Sequence, residues 1–308
     1  MSLRDAVQLA RPRGWVKNGI VLLPVIFAAR VDDPEAWLGA LLAAVAFCLA
    51  SSAVYIVNDM QDWESDRLHP RKKHRPLAAG KVSPSAALLE AGVLLAAGLA
   101  VAAIRGPLVL ATILSYVLLQ MVYTFYLKQK ILLDVMCIAL GFVLRAAAGA
   151  LAIPVVVSPW LIVCTFTLCL FMGFCKRRNE IVTIGDLGNA IKHRPTLVGY
   201  APDLLTHLIT LSAAVAIMAF LVYASSSSER IGLMYTLPVF IYAVFRFAML
   251  SMYGNYTDPT ELILRDRPFQ VTVLVWLALV LAVILRGREL QEWVERFALN
   301  LPQQDPWR

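Results

Sequence analysis

Residues 58–66 read Asn-Asp-Met-Gln-Asp-Trp-Glu-Ser-Asp and follow directly on a long apolar run. Asp59, Asp62 and Asp66 stand at i, i+3 and i+7, so on a helix all three carboxylates share one face. Three like charges this close repel one another unless a cation sits among them. Holding Mg2+ against a substrate diphosphate is the chemistry such a face suits, with the three aspartates as metal ligands and catalytic groups. The plainer alternative is a solvated acidic helix end. Against it stands the next segment, Arg67 to Lys81, which is strongly basic. An acidic trio beside a basic loop at a membrane surface predicts a metal–phosphate site.

Other cations are candidates for the phosphate oxygens a metal does not reach. Arg75 precedes Pro76 and a short small-residue turn, which fixes its direction. Arg71 and Lys72 in the same loop could equally bind anionic lipid headgroups. The stretch Tyr123 to Lys130 brings phenols together with Lys128 and Lys130, and an aromatic belt with snorkelling lysines would also produce it. Arg145 lies mid-span among small residues, where a charge is costly unless it meets an anionic ligand or an intramembrane carboxylate such as Asp134. Lys176, Arg177 and Arg178, with Glu180 one turn after Lys176, suggest a second phosphate-facing surface; membrane-side anchoring explains two of the three cations. Arg246, also within a span, could serve either purpose. Asp258 to Pro268 reads as a charged turn that capping and self-pairing explain.

The elements that must carry these groups are membrane helices. The chain has 308 residues, 59% hydrophobic and 16% charged, where soluble domains carry about a quarter charged; its mean hydropathy is +0.69. Crossing a hydrocarbon core of about 30 Å takes roughly 20 apolar residues as helix. Nine spans are expected, near 15–30, 36–57, 86–104, 107–126, 131–152, 156–175, 204–224, 231–252 and 268–285, in one catalytic domain covering 1–308. Residues 1–17 read as an interfacial segment, 58–81 and 176–203 as active-site loops, and 286–308 as a tail. The five cysteines form no CxxC pair and none sits near a histidine at ligand spacing, so packing is their expected role and zinc chemistry is not expected.

Loop charge orients the bundle. Nineteen of the 28 Lys and Arg fall on the N-terminal side of the membrane, and only Arg30, Arg105 and Arg230 in the opposite loops. The positive-inside rule then puts the N-terminus and the long, charged loops in the cytoplasm, and the C-terminus outside.

Together these residues resemble the UbiA-type intramembrane prenyltransferase superfamily, over essentially the whole chain. The marks are the nine spans, the Asn-Asp-x-x-Asp-x-x-x-Asp motif after span two, and Arg75-Pro76-Leu77-Ala78-Ala79-Gly80 behind it. The resemblance implies an all-α polytopic membrane fold, a ring of helices around a cavity open laterally to lipid. It also implies that Asn58 joins the three aspartates in holding Mg2+ on a diphosphate. One departure is informative: where ordinary members carry a second Asp-rich motif after span six, this chain has Lys176-Arg177-Arg178-Asn179-Glu180. Fewer metal-binding carboxylates and more fixed cations suit substrates with separate phosphates. In this the chain is similar to the decaprenyl-phosphate phosphoribosyltransferase branch, as it is in Arg11 to Asn18, Tyr123 to Lys130 and Gly141 to Arg145.

That branch implies transfer of 5-phosphoribose from phosphoribosyl diphosphate to a polyprenyl phosphate, releasing pyrophosphate, at a bacterial inner membrane. Lys17, Lys128, Lys130, Arg145 and residues 176–178 are then the candidates for holding the lipid phosphate and the 5-phosphate. A homo-oligomer is compatible with this reading, and no nucleic-acid partner is expected. The alternatives are an ordinary prenyltransferase moving a prenyl group from prenyl diphosphate to an aromatic acceptor, and a transporter using Arg145. The basic second loop counts against the first. The second leaves the aspartates without a task and lacks paired broken helices.

Overall fold

Proline punctuates this chain. In the computed structural model, which describes residues 2–68, 72–184, 199–226, 228–253 and 259–299, six helices open on one. Its missing N–H and fixed φ suit the first helical position. In order the elements are α1 (Leu3–Ala10), a 3-10 segment (Pro12–Leu22), α2 (Leu23–Phe27), α3 (Pro34–Leu68), α4 (Pro84–Arg105), α5 (Pro107–Phe125), α6 (Leu133–Ala152), α7 (Pro159–Ile184), α8 (Pro202–Ser225), a second 3-10 segment (Ser228–Thr236), α9 (Leu237–Met252), α10 (Pro259–Arg265) and α11 (Arg267–Leu299).

Among the described residues eight helices are long and apolar enough to cross a membrane. The all-helical, multi-span membrane fold therefore stands, and the first expected span is the exception. Residues 15–30 are not one helix but the 3-10 segment followed by α2. A 3-10 coil rises about 2.0 Å per residue against 1.5 Å for an α-helix, so residues 12–27 still extend about 30 Å. Ahead of them, α1 exposes Leu3 and Val7 and buries Leu9 and Ala10, an amphipathic arrangement of the kind expected at the interface.

The bundle is built around α3 and α6. Their apolar windows are 56% and 61% buried, against 11% for α11, which leaves α11 at the lipid-facing rim. Small residues permit this: Ala40, Ala43, Ala46, Ala50 and Ala53 of α3 are all buried. Two close approaches depend on glycine. A Cβ at Gly98 of α4 would lie 3.0 Å from the Ala46 carbonyl oxygen, and one at Gly149 of α6 only 2.0 Å from that of Val21 in the 3-10 segment. At the end of the bundle far from the aspartates, Arg105 donates to the carbonyl of Ala152 at 2.5 Å, satisfying one of the open acceptors at the α6 terminus.

Three boundaries differ from expectation. Residues 58–68 are the last turns of α3 rather than a loop, and 176–184 are the last turns of α7. Past a kink at Arg286 (φ −128°, ψ 20°) the expected tail continues as helix to Leu299. Rigid helix ends thus carry most of the candidate site. Arg246, left open by the sequence, pairs with Asp266 through both arms of its guanidinium, Nε to Oδ1 at 2.7 Å and Nη2 to Oδ2 at 3.0 Å, and so ties α9 to the start of α11.

Candidate active site

Each aspartate of the trio meets a cation. Oδ1 of Asp59 accepts from Arg11 and, at 2.9 Å, from Nη1 of Arg75. The same Nη1 also donates to Oδ2 of Asp66, and Nζ of Lys72 lies 3.8 Å from the other Asp66 oxygen. Asp62 is paired with Lys128 at 2.5 Å, and Asn58 donates to its second oxygen at 3.3 Å. Asp59 and Asp66 are buried to 3% side-chain exposure, while Asp62 retains 29%. The helical face predicted from spacing is therefore real, and α5–α6 and the loop after α3 both close onto it.

The loop is braced from α3 itself. Arg67 lies 4.6 Å above the Trp63 ring and donates through Nε to the Ala78 carbonyl at 3.2 Å. Gly80, at φ +70°, completes the turn. Together these hold Arg75 over the carboxylates. Desolvation beside α3 pushes the Lys72 ammonium below the ordinary lysine range, outweighing the pull of Asp66. Arg71 lies outside the described residues.

Arg145 is 4% exposed, and Asp134 is not its partner. It donates to Asn18 Oδ1 at 2.7 Å, to the Gly141 carbonyl at 2.9 Å and to the Tyr116 hydroxyl at 2.9 Å. The rings of Phe47, Tyr116 and Phe142 surround the guanidinium at 4.5–5.8 Å. All of these partners are neutral. Asn18 also donates to Ser51 and Cys48, so the 3-10 segment, α3 and α6 are sewn together at this point.

Arg177, expected on a phosphate-facing surface, lies inside the bundle. It is fully buried, with Nε 2.7 Å from Asp134 Oδ2 and Nη1 2.6 Å from Glu180. Tyr200, just ahead of α8, donates to Asp134 at 2.6 Å and accepts the Leu132 N–H at 2.7 Å. Burial, with that bond to Asp134, holds the Tyr200 phenol above its ordinary range, so it stays a donor. Leu132 sits at φ +67°, ψ −47° in a strained γ-turn that this bond supports. Arg177 and Glu180 thus belong to the frame joining α6, α7 and α8. Lys176 and Arg178 are half-buried on the same turns, and Tyr123 acts electrostatically on Arg177. Lys130 is exposed at the rim and joins none of the ion pairs found among the described residues.

Two participants were not singled out from the sequence. Arg11 reaches Asp59 across 48 residues, a distance no local pattern reports. Tyr55 stands one turn before Asp59 on the same face, and that i, i+4 spacing was the available signal. Arg11 lies 5.6 Å from its ring centroid, and Lys17, Arg145, Arg11 and Lys176 all act on its phenol.

The donor set fits a divalent cation. Two buried carboxylate oxygens, from Asp59 and Asp66, already converge on one cationic atom of Arg75. One or two carboxylates completed by phosphate and water oxygens is the coordination Mg2+ favours. Among the described residues no three acidic, His or Cys groups are gathered for a metal, since Asp62 faces Lys128 instead.

Comparison with known proteins agrees with this architecture. The UbiA prenyltransferase family matches residues 20–271. Decaprenyl-phosphate phosphoribosyltransferase of Mycobacterium tuberculosis is 33% identical over 287 residues, covering 91% of this chain and 94% of the relative. The protein of the same name from Corynebacterium glutamicum is 32% identical over 289 residues, covering 91% and 86%. Among solved structures, a UbiA homolog from Archaeoglobus fulgidus bound to GPP and Mg2+ superposes with a TM-score of 0.70 at 20% identity, over 91% of this chain and 99% of that one. The chain is a multi-span membrane transferase and belongs to the UbiA prenyltransferase family.

Proposed function

We propose that this transferase moves 5-phosphoribose from phosphoribosyl diphosphate to the phosphate of a polyprenyl phosphate, at the cytoplasmic face of a bacterial inner membrane. The observation that carries the reading is the charge pattern of the site. One acidic face on α3 is answered by Arg11, Lys72, Arg75 and Lys128, and the end of α7 is basic where a second acidic motif would complete a prenyl diphosphate site. The names of relatives matching nine-tenths of the chain support it.

In this reading the bond from the anomeric carbon to the diphosphate breaks, and the diphosphate leaves with the electron pair. A bond from that carbon to a lipid-phosphate oxygen forms on the opposite side, with inversion. The carbon passes through an oxocarbenium-like state, as in other glycosyl transfers. The acceptor is already an anion, so no general base is needed. Asp59 and Asp66, with Asp62 beside them, would hold Mg2+, which would neutralise charge on the departing diphosphate. Arg75, Lys72 and Lys128 lie where they can turn from carboxylate to phosphate oxygens. Lys17, Lys130, Arg145, Lys176 and Arg178 supply the further positive field that two phosphate-rich substrates require.

The test is incubation of the purified protein with Mg2+, phosphoribosyl diphosphate and a polyprenyl phosphate. Mass spectrometry is expected to find polyprenyl phosphoribose with wild type and none with Asp62→Asn. Turnover of a prenyl diphosphate with an aromatic acceptor, and no phosphoribosyl product, would overturn the proposal.

A further inference from the structure

A groove runs down the side of the bundle where α6, α7 and α8 meet. It holds about 260 Å3 and is lined by Leu132 and Met136 at the start of α6, Phe166 and Leu170 of α7, and Leu211 and Val215 of α8. Leu132, Met136, Leu211 and Val215 are exposed, so the groove opens sideways to lipid. Two hydroxyls lie in its wall, and both are turned back on their own helices. Thr167 donates to the Val163 carbonyl at 2.9 Å, and Ser212 to that of Leu208 at 2.6 Å. What remains for an occupant is hydrocarbon contact. From Phe174 to Phe166 on α7 the groove is about 12 Å long, close to the depth of about 15 Å in half a hydrocarbon core.

The mouth of the groove lies on the same short loop as part of the candidate site. Lys128 of that loop pairs with Asp62 at 2.5 Å. Lys130, two residues on, is exposed and joins no ion pair among the described residues. Leu132, two further, forms the lip of the groove, where its N–H is bonded to the Tyr200 hydroxyl at 2.7 Å. Along this stretch the chain thus passes from the aspartate face, to an uncommitted cation, to an apolar seat.

We propose that this groove seats the prenyl chain of the lipid acceptor, with the acceptor's phosphate on Lys130. The proposal rests on the phosphoribosyl-transfer reading and gives the acceptor its own approach. Held in this way, the phosphate lies near Lys128 and Asp62 while the chain stays in the bilayer. The acceptor arrives from the lipid side and the water-soluble donor from the aqueous side, so neither has to pass the other. A membrane phospholipid offers hydrocarbon as well, but its phosphate is a singly charged diester that carries a headgroup. A phosphate monoester brings about two charges to the ammonium and leaves its oxygens open. An alcohol with the same chain lacks that charge, so the difference between the two isolates Lys130.

The experiment uses the full chain in detergent, titrated with farnesyl phosphate and farnesol, and with phosphatidylglycerol as competitor. Wild type is expected to bind farnesyl phosphate above farnesol. Val215→Trp fills the deep end of the groove from an exposed position and should weaken both probes about tenfold. In turnover it should raise KM for the polyprenyl phosphate while KM for phosphoribosyl diphosphate holds. Lys130→Gln should weaken farnesyl phosphate alone, and Lys130→Arg should restore it. Leu274→Trp, on the exposed side of α11, should leave both probes unchanged. Leu211→Trp carries the same test if Val215→Trp fails to fold in a thermal scan. Wild-type affinity for farnesyl phosphate in the groove-filling variant or in Lys130→Gln would overturn the assignment, as would its loss in Leu274→Trp. Displacement by phosphatidylglycerol at equal concentration would make the groove a general lipid seat and overturn it too. Should the variants lose farnesyl phosphate while wild type forms no phosphoribosyl product, the reaction reading falls and the groove stands.

Discussion

The Asp134–Arg177 pair decides whether the basic end of α7 is frame or ligand. Both side chains are fully buried, and Arg177 also serves Glu180. Removing one member strands a buried charge, which costs about 3–5 kcal/mol. Arg177→Met is expected in that range. At roughly 2 °C per kcal/mol for a chain of this size, the melting temperature should drop by about 6–10 °C. Asp134→Leu should cost as much, since Tyr200 loses its acceptor as well. The double variant removes both charges, leaving Glu180, at 24% exposure, to rehydrate. Its loss should fall short of the sum of the singles by about 2 kcal/mol or more. Thermal unfolding followed by intrinsic fluorescence, with KM for the phosphoribosyl donor measured alongside, reads both roles. A variant Arg177→Met that melts like wild type but binds the donor poorly would refute the reasoning and return Arg177 to the phosphates.

Arg75→Gln takes away the cation between Asp59 and Asp66; binding of Mn2+ alone, followed by electron paramagnetic resonance, should tighten about tenfold while transfer falls by a similar factor or more. Gly149→Ala drives a Cβ to 2.0 Å from the Val21 carbonyl oxygen, and should cost about 1–3 kcal/mol in thermal scans while disturbing the nearby Asn18–Arg145 bond. Arg246 holds the Asp266 carboxyl below its ordinary 3.8, so this pair stabilises the fold above that value and ceases to as the pH drops through the lowered native one. Wild type should therefore lose its advantage in melting temperature over Arg246→Met in that acid window and keep it at neutral pH.

Legibility followed sequence distance. The aspartate face was readable because i, i+3, i+7 spacing is local, and Arg75 because its loop follows directly. The long apolar runs announced α3 to α9, five of which open on a proline. The burial of Arg177 was not legible for a physical reason: loop charge and buried charge look alike in sequence, and Asp134, on the preceding helix, supplies the pairing. Arg11 and Asn18 act through partners across the fold, on α3 and α6, which no periodicity encodes. The first span was misread because length and hydropathy do not distinguish α from 3-10 winding.

That winding sets a length. Rewound as α-helix, the eleven residues Pro12–Leu22 would shorten by about 5 Å and turn about 20° less per residue. Gly14 and Asn18 would then leave the heights at which Tyr55 and Arg145 meet them. The segment acts as a ruler laid along α3, its ends fixed by the Arg11–Asp59 pair and by α2. Substitutions that raise helix propensity at Gly14 or Gly19 would shorten the ruler. They would misplace the site while the rest of the bundle kept its form.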